Sequence, residues 1–188
     1  MIIILLFLTG TALCQKKDGY DAARQRMVEQ QIVARGISDY ATLQAMRKVP
    51  RHLFVPPALE GQAYSDWPLP IGYNQTISQP FIVAYMTELS RPAKNKRALE
   101  IGTGSGYQAA VLAEIVDTVY TIEIVPGLAR ESAARLKVLG YENIIVRYGD
   151  GYKGWPEHAP FDIIMVTAAA DHIPQPLKDQ LAEGGRLV

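Results

Sequence analysis

Apolar positions along this chain change their period near residue 97. Upstream they recur at helical spacing. From Asp21 to Arg35, Met27, Val28, Gln31, Ile32 and Ala34 gather near one face, and Gly36 stops the segment. Ser38 predicts the cap of a second helix through about Lys48, ended by Pro50. Between Pro56 and Asn74 the prolines 56, 57, 68 and 70 and the glycines 61 and 72 punctuate too heavily for a long element, so ordered loop is expected. Ser78 is expected to cap a further helix from Gln79 to about Leu89, with Pro80 tolerated in its first turn.

From Arg97 onward short apolar runs alternate with helical patterns. Strands are expected at Ala98–Ile101, Thr118–Ile122, Asn143–Val146 and Phe161–Val166, with a fifth beginning at Arg186. Helices are expected from Tyr107 to Ile115, from Pro126 to Leu139 with Gly140 closing it, and around Pro176 to Ala182. This alternation specifies an α/β fold: a doubly wound, mostly parallel sheet covered on both faces. A strand interrupted at Val188 leaves ladder bonds and core surface unmet, so the final strands are expected to be missing and the sequence to be a fragment. The expected layout is a helical and loop region, 15–96, on an α/β core, 97–188, with 15–188 forming one domain.

Composition narrows the function. The 188 residues are 48% hydrophobic and carry 19 basic and 19 acidic side chains, a neutral balance unlike that of a phosphate-gripping protein. No nucleic-acid partner and no stable membrane span are therefore expected, and the protein is read as a monomer. The run Met1 to Leu8 followed by Thr9-Gly-Thr-Ala12 has signal-peptide proportions, with 1–14 removed before Gln15, although no Lys or Arg precedes it. Export to the periplasm or medium is the expectation, and a cytoplasmic address the alternative. Cys14 is the only cysteine, and His52, His158 and His172 lack ligand spacing, so no metal site is expected.

The chemistry concentrates at three strand ends. Glu100-Ile-Gly102-Thr-Gly104-Ser-Gly106 leaves a strand and enters a helix, where glycines let backbone approach a ligand closely. A dinucleotide fingerprint would need glycine where Tyr107 stands. The acidic Glu100 suits a cationic ligand such as S-adenosylmethionine (AdoMet), with its ammonium and sulfonium, better than a pyrophosphate. Glu123 ends the second strand, where such folds use a carboxylate to accept ribose hydroxyls. Gly149-Asp150-Gly151 follows the third strand; Asp150 can accept from an adenine amino group, with Gly151 leaving room for the ring. Each feature alone could be an ordinary turn or cap; together they are far more specific.

These residues resemble the AdoMet motifs of protein-L-isoaspartate O-methyltransferases, as do Phe161-Asp162, Val166-Thr-Ala-Ala-Ala170 and Gly184-Gly-Arg-Leu-Val188. The upstream stretches Val49-Pro-Arg-His-Leu-Phe-Val55, Pro70-Ile-Gly72 and Gln75-Thr-Ile-Ser-Gln-Pro80 resemble that family more distinctively, so the likeness runs from about Met27 to Val188. The resemblance implies a Rossmann-like methyltransferase fold and AdoMet as cofactor. It further implies methyl transfer to the free α-carboxylate of L-isoaspartyl residues in damaged proteins, which starts repair through a succinimide. By position, Ser78 would be the active-site serine. Gln75, Thr76 and Ile77 would join Glu100, Gly102, Gly104, Gly106, Glu123, Asp150 and Gly151 around the cofactor. Thr76, Ser78, Thr167, Ala168 and Ala169 would meet the substrate. A methyltransferase for a small molecule, which gives no reason for the Thr76–Pro80 segment, or a catalytically incomplete AdoMet-binding fragment, is the competing reading.

Overall fold

A computed structural model describes residues 19–168 and 172–188. The expected leader and Ala169 lie outside the described residues. α1 is Asp21–Met27, continued by a π turn over Val28–Ile32 and a 3₁₀ turn over Val33–Arg35 that closes on Gly36 at φ 96°. The expected single helix is thus one segment of three pitches. Met27, Val28 and Ile32 are buried, whereas Ala34 faces solvent.

α2 is Tyr40–Lys48, and its cap is Asp39, whose Oδ2 accepts from the Thr42 N–H at 2.7 Å. Ser38, expected in that role, instead donates its N–H to Glu88 Oε1. The loop expected before Asn74 is partly regular. A 3₁₀ turn spans Pro57–Gln62, and β1, Leu69–Gly72, pairs antiparallel with β2, Gln75–Ile77. Proline is tolerated in β1 because an isolated two-stranded ribbon offers edges where the missing N–H costs no ladder bond. α3, Pro80–Ser90, begins after Gln79, and no side chain caps it, so Ser78 does not serve as its cap.

The first four strands follow the expected pattern closely, whereas the fifth, expected from Arg186, already begins at Leu181, inside the stretch expected as helix. β3 (Arg97–Ile101), β4 (Thr118–Glu123), β5 (Ile144–Tyr148), β6 (Phe161–Val166) and β7 (Leu181–Leu187) are all parallel, in the order β5-β4-β3-β6-β7. The crossovers include α4 (Tyr107–Ala113), α5 (Pro126–Val138) and α6 (Gln175–Asp179). Alternation along β3 sends Ala98 into one layer with Ala109, Leu112 and Val119, and Leu99 and Ile101 into the other with Ile122, Trp155 and Leu177. A third cluster joins the N-terminal segments to the core, running from Met27 and Met46 through Phe54 and Ile77 to Tyr107 and Leu136. The chain leaves β5 and crosses to β6 on the far side of β3. That reversal opens a crevice at the carboxyl ends of the central strands, where open α/β sheets bind ligands.

Candidate active site

Two connected cavities occupy that crevice. The inner chamber, about 40 Å³, is walled by Thr76, Ile77 and Ser78 on one side and by Glu100, Gly102 to Ser105, Tyr107 and Gln108 on the other. The outer cleft, about 260 Å³, runs from Gln75 and Thr76 across Gly102 and Gly104 to Glu123, Ile124, Asp150, Gly151 and Tyr152. Thr76, Gly102, Gly104 and Thr167 border both. Of the residues singled out from sequence, Gln75, Thr76, Ile77, Ser78, Glu100, Gly102, Gly104, Glu123, Asp150, Gly151, Thr167 and Ala168 line this space. Gly106 does not. Its backbone at φ 88° begins α4, and a Cβ there would meet Leu136 at 3.1 Å, so it serves the turn and its packing.

The glycine turn is held from three directions. Gly102 N–H donates to Ile122 O at 2.8 Å, and the Thr167 hydroxyl donates to the carbonyls of Ile101 and Gly102. Gly104 N–H donates to Glu123 Oε2 at 2.7 Å. The other Glu123 oxygen accepts the Val125 N–H at 2.9 Å. Both oxygens thus already bind backbone, and a carboxylate's remaining lone pairs leave room for ribose hydroxyls. Asp150 Oδ1 accepts the Tyr152 N–H at 3.0 Å, and Gly151 packs so tightly that a Cβ would lie 2.3 Å from Ile101 Cγ2.

Glu100 has no exposure to solvent. Its Oε2 accepts from Thr121 Oγ1 at 2.5 Å, Thr121 in turn bonds Thr103 Oγ1 at 2.7 Å, and Oε1 has no hydrogen-bond partner. Burial pushes its carboxyl up to about 8; the Thr121 hydroxyl pulls the other way, and nearby Glu123 adds to the rise. A partnerless acidic oxygen on the wall of the inner chamber fits a cationic group, and so fits the ammonium end of AdoMet.

Four contributors were not legible beforehand. Thr121 is the register partner of Glu100 on β4, and a hydroxyl opposite a buried acid was the available signal. Arg51 is buried. Its Nε donates to Ala63 O at 2.8 Å, its Nη2 to Ser78 O at 2.7 Å, and its guanidinium lies 4.8 Å from the centre of the Tyr107 ring. Desolvation lowers its pKa from the ordinary value. Ile124 and Tyr152 line the outer cleft, and both carry exposed apolar surface. Among the described residues no three His, Cys, Asp or Glu side chains group as a metal site, and no helix is long and apolar enough to cross a membrane.

Parallel strand order, a glycine turn after the first core strand and carboxylates at successive strand ends define an AdoMet-dependent methyltransferase of the Rossmann-like class. Solved structures agree. A protein-L-isoaspartate O-methyltransferase aligns at TM-score 0.79 and 33% identity over 87% of this chain and 54% of its own, so the chain spans about half of that protein. A putative protein-L-isoaspartate O-methyltransferase from Plasmodium falciparum, in complex with S-adenosyl-L-homocysteine, aligns at TM-score 0.74 and 26% identity over 91% of this chain and 83% of its own. Residues 22–188 match the sequence profile of the protein-L-isoaspartate(D-aspartate) O-methyltransferase family, and the chain belongs to that family. Among curated relatives, the protein-L-isoaspartate O-methyltransferase of Opitutus terrae is 58% identical over all of this chain and 80% of its own length. That of a Picosynechococcus is 62% identical over 89% of this chain and 75% of its own.

Proposed function

We propose that the outer cleft takes the adenosine of AdoMet, the inner chamber its methionine end, and that the substrate carboxylate meets the methyl group beside Ser78. The observation that carries this is the opposition of two walls: the Gln75–Ser78 segment faces the Glu100–Gly104 turn across one continuous space. The enzyme transfers the methyl group of AdoMet to the α-carboxylate of L-isoaspartyl residues in damaged proteins, as the family does. Bound AdoMet supplies an electrophilic methyl on a sulfonium. Glu123 and Asp150 hold the ribose and adenine, and Glu100 the ammonium.

A carboxylate with a pKa of ~4 is ionised at neutral pH, so no general base is required. What remains is alignment. Half-buried Ser78 donates its hydroxyl to one carboxylate oxygen and so aims the other, while Thr76 and Ile77 exclude water around the line of transfer. Thr167 and Ala168 border the path by which a peptide backbone enters.

Replacing Glu123 tests the cofactor site. Glu123→Ala should weaken AdoMet binding by roughly 1.5–3 kcal/mol in calorimetry, as for losing a hydrogen bond to a charged group. Wild-type affinity would contradict the assignment. Ser78→Ala should lower kcat with AdoMet affinity retained, whereas unchanged kcat would remove Ser78 from the reaction.

We also propose that 15–96 and 97–188 work as one domain, which the apolar cluster joining Met27 and Phe54 to Tyr107 and Leu136 supports. We propose further that the protein is monomeric and that 1–14 direct export, a reading supported by the apolar run Ile2 to Leu8. Mass spectrometry should find Gln15 as the mature N-terminus; intact Met1 on cytosolic protein would contradict export.

A further inference from the structure

The β1–β2 hairpin turns on two consecutive non-glycine residues in left-handed backbone, Tyr73 at φ 52° and Asn74 at φ 57°. A two-residue turn of this hand suits the twist of a hairpin, but glycine, asparagine and aspartate are the residues that adopt it easily. A tyrosine there is strained, and such strain persists only where surroundings hold it. Here the surroundings are the first turns of α5. The Tyr73 ring lies against the backbone of Gly127 so closely that a Cβ at 127 would stand 2.3 Å from both Cζ and Oη. One turn further along, the Tyr73 hydroxyl donates to Glu131 Oε1 at 2.7 Å.

The fastening crosses the cofactor cleft. α5 begins three residues after Glu123, which forms one wall, and β2 contributes Gln75 and Thr76 to the other. Ile71 of β1 reaches over the glycine turn, where a Cβ on Gly104 would meet Ile71 Cδ1 at 3.5 Å. With the hairpin fastened, the outer cleft measures about 260 Å³. The hairpin thus stands over the space assigned to the cofactor.

We propose that Tyr73 is the clasp of a strap: docked on Gly127 and Glu131 it holds the β1–β2 hairpin over the cofactor, and its release admits AdoMet and frees the demethylated product. The proposal rests on the cofactor placement given above. Tyr73 borders neither cavity, so it is a positioning residue rather than a catalytic one. Half of its surface is open to water, which suits a contact that must break at each turnover.

The test is the dissociation rate of S-adenosylhomocysteine from the full chain, followed by stopped-flow displacement. Tyr73→Ala should raise that rate by about tenfold or more, since changes to a contact that retains a ligand fall mainly on dissociation. Gly127→Ala, which leaves Tyr73 in the chain but puts a methyl where its ring lies, should do the same. Tyr73→Phe keeps the ring and loses only an exposed hydrogen bond, so it should change the rate by no more than about threefold. The ligand-free melting temperature should stay near wild type in all three, which separates a clasp from a fold-stabilising contact. Wild-type dissociation rates in both Tyr73→Ala and Gly127→Ala would overturn the proposal. Glu123→Ala measured alongside separates the failures. Weakened binding there with an unaltered rate in Tyr73→Ala sinks the clasp alone, whereas unweakened binding there sinks the cofactor placement and the clasp with it.

Discussion

Arg51 donates from Nη2 to the backbone carbonyl of Ser78 at 2.7 Å, from a position with no solvent exposure. A buried guanidinium is costly unless its donors are used; here Nε and Nη2 tie the segment before α3 to the loop at Ala63, while Nη1 faces the Tyr107 side of the core without a hydrogen-bond partner among the described residues. The backbone that carries Ser78 is therefore anchored by a residue 27 positions upstream.

Substitution of Arg51 is expected to act on both stability and rate. Arg51→Ala strands the buried Ala63 carbonyl and the part-buried Ser78 carbonyl, a loss of about 2–4 kcal/mol that a shifted denaturant midpoint would report. Arg51→Lys keeps the charge but not the two-pronged geometry, so it should lower kcat with S-adenosylhomocysteine affinity near wild type. Unchanged kcat in Arg51→Lys would mean that Ser78 needs no such anchor.

Glu100 gives a pH-dependent expectation. Its folded pKa, about 8, lies above the ordinary carboxylate value of 4.5, so at neutral pH the fold holds a proton that the unfolded chain releases. Stability from this group is complete below pH 4.5 and is lost as pH rises through 8. An arriving ammonium favours the ionised form, so cofactor binding at neutral pH should expel a proton. Calorimetry of S-adenosylhomocysteine binding in buffers of different ionisation enthalpy should reveal the release, and Glu100→Gln should abolish it. Equal heats in all buffers would show that Glu100 keeps its proton state.

Two neighbouring glycines should respond differently to alanine. At Gly151 the new methyl would fall 2.3 Å from Ile101 Cγ2, on a stiff branched side chain. A strain of about 1–3 kcal/mol and weaker cofactor binding are expected as Asp150 is displaced. At Gly149 the nearest atom is Arg147 Nε at 3.7 Å, and alanine should be tolerated. Equal effects at the two positions would count against a packed turn beneath the adenine site.

The sheet and the strand-end acids were legible because both follow from local rules. Short continuous apolar runs mark strands covered on both faces, and glycines between a strand and a helix mark a close backbone approach. Ser38 and Ser78 were misread as caps for one reason: the residue after each takes the N-cap position, Asp39 with a better acceptor and Gln79 by backbone conformation alone. The β1–β2 hairpin was hidden because Tyr73–Asn74 lacks the usual turn glycine, and because Pro68 and Pro70 mimic loop. Its cause is tertiary: Leu69 and Ile77 bury into the N-terminal core, and Tyr73 rests on Gly127. Arg51 was invisible for a similar reason, since its partners at 63 and 78 are distant in sequence.

The central claim is that Ser78 and the glycine turn align an isoaspartyl carboxylate with the methyl group. The direct measurement is methyl transfer from AdoMet to two synthetic peptides that differ only in an isoaspartyl or a normal aspartyl linkage. The isoaspartyl linkage moves the free carboxylate by one methylene, and in-line transfer tolerates little more than about 1 Å of misplacement. Steep preference for the isoaspartyl peptide, reduced in kcat by Ser78→Ala, is the expected result. Equal rates on the two peptides, or transfer indifferent to Ser78, would contradict it.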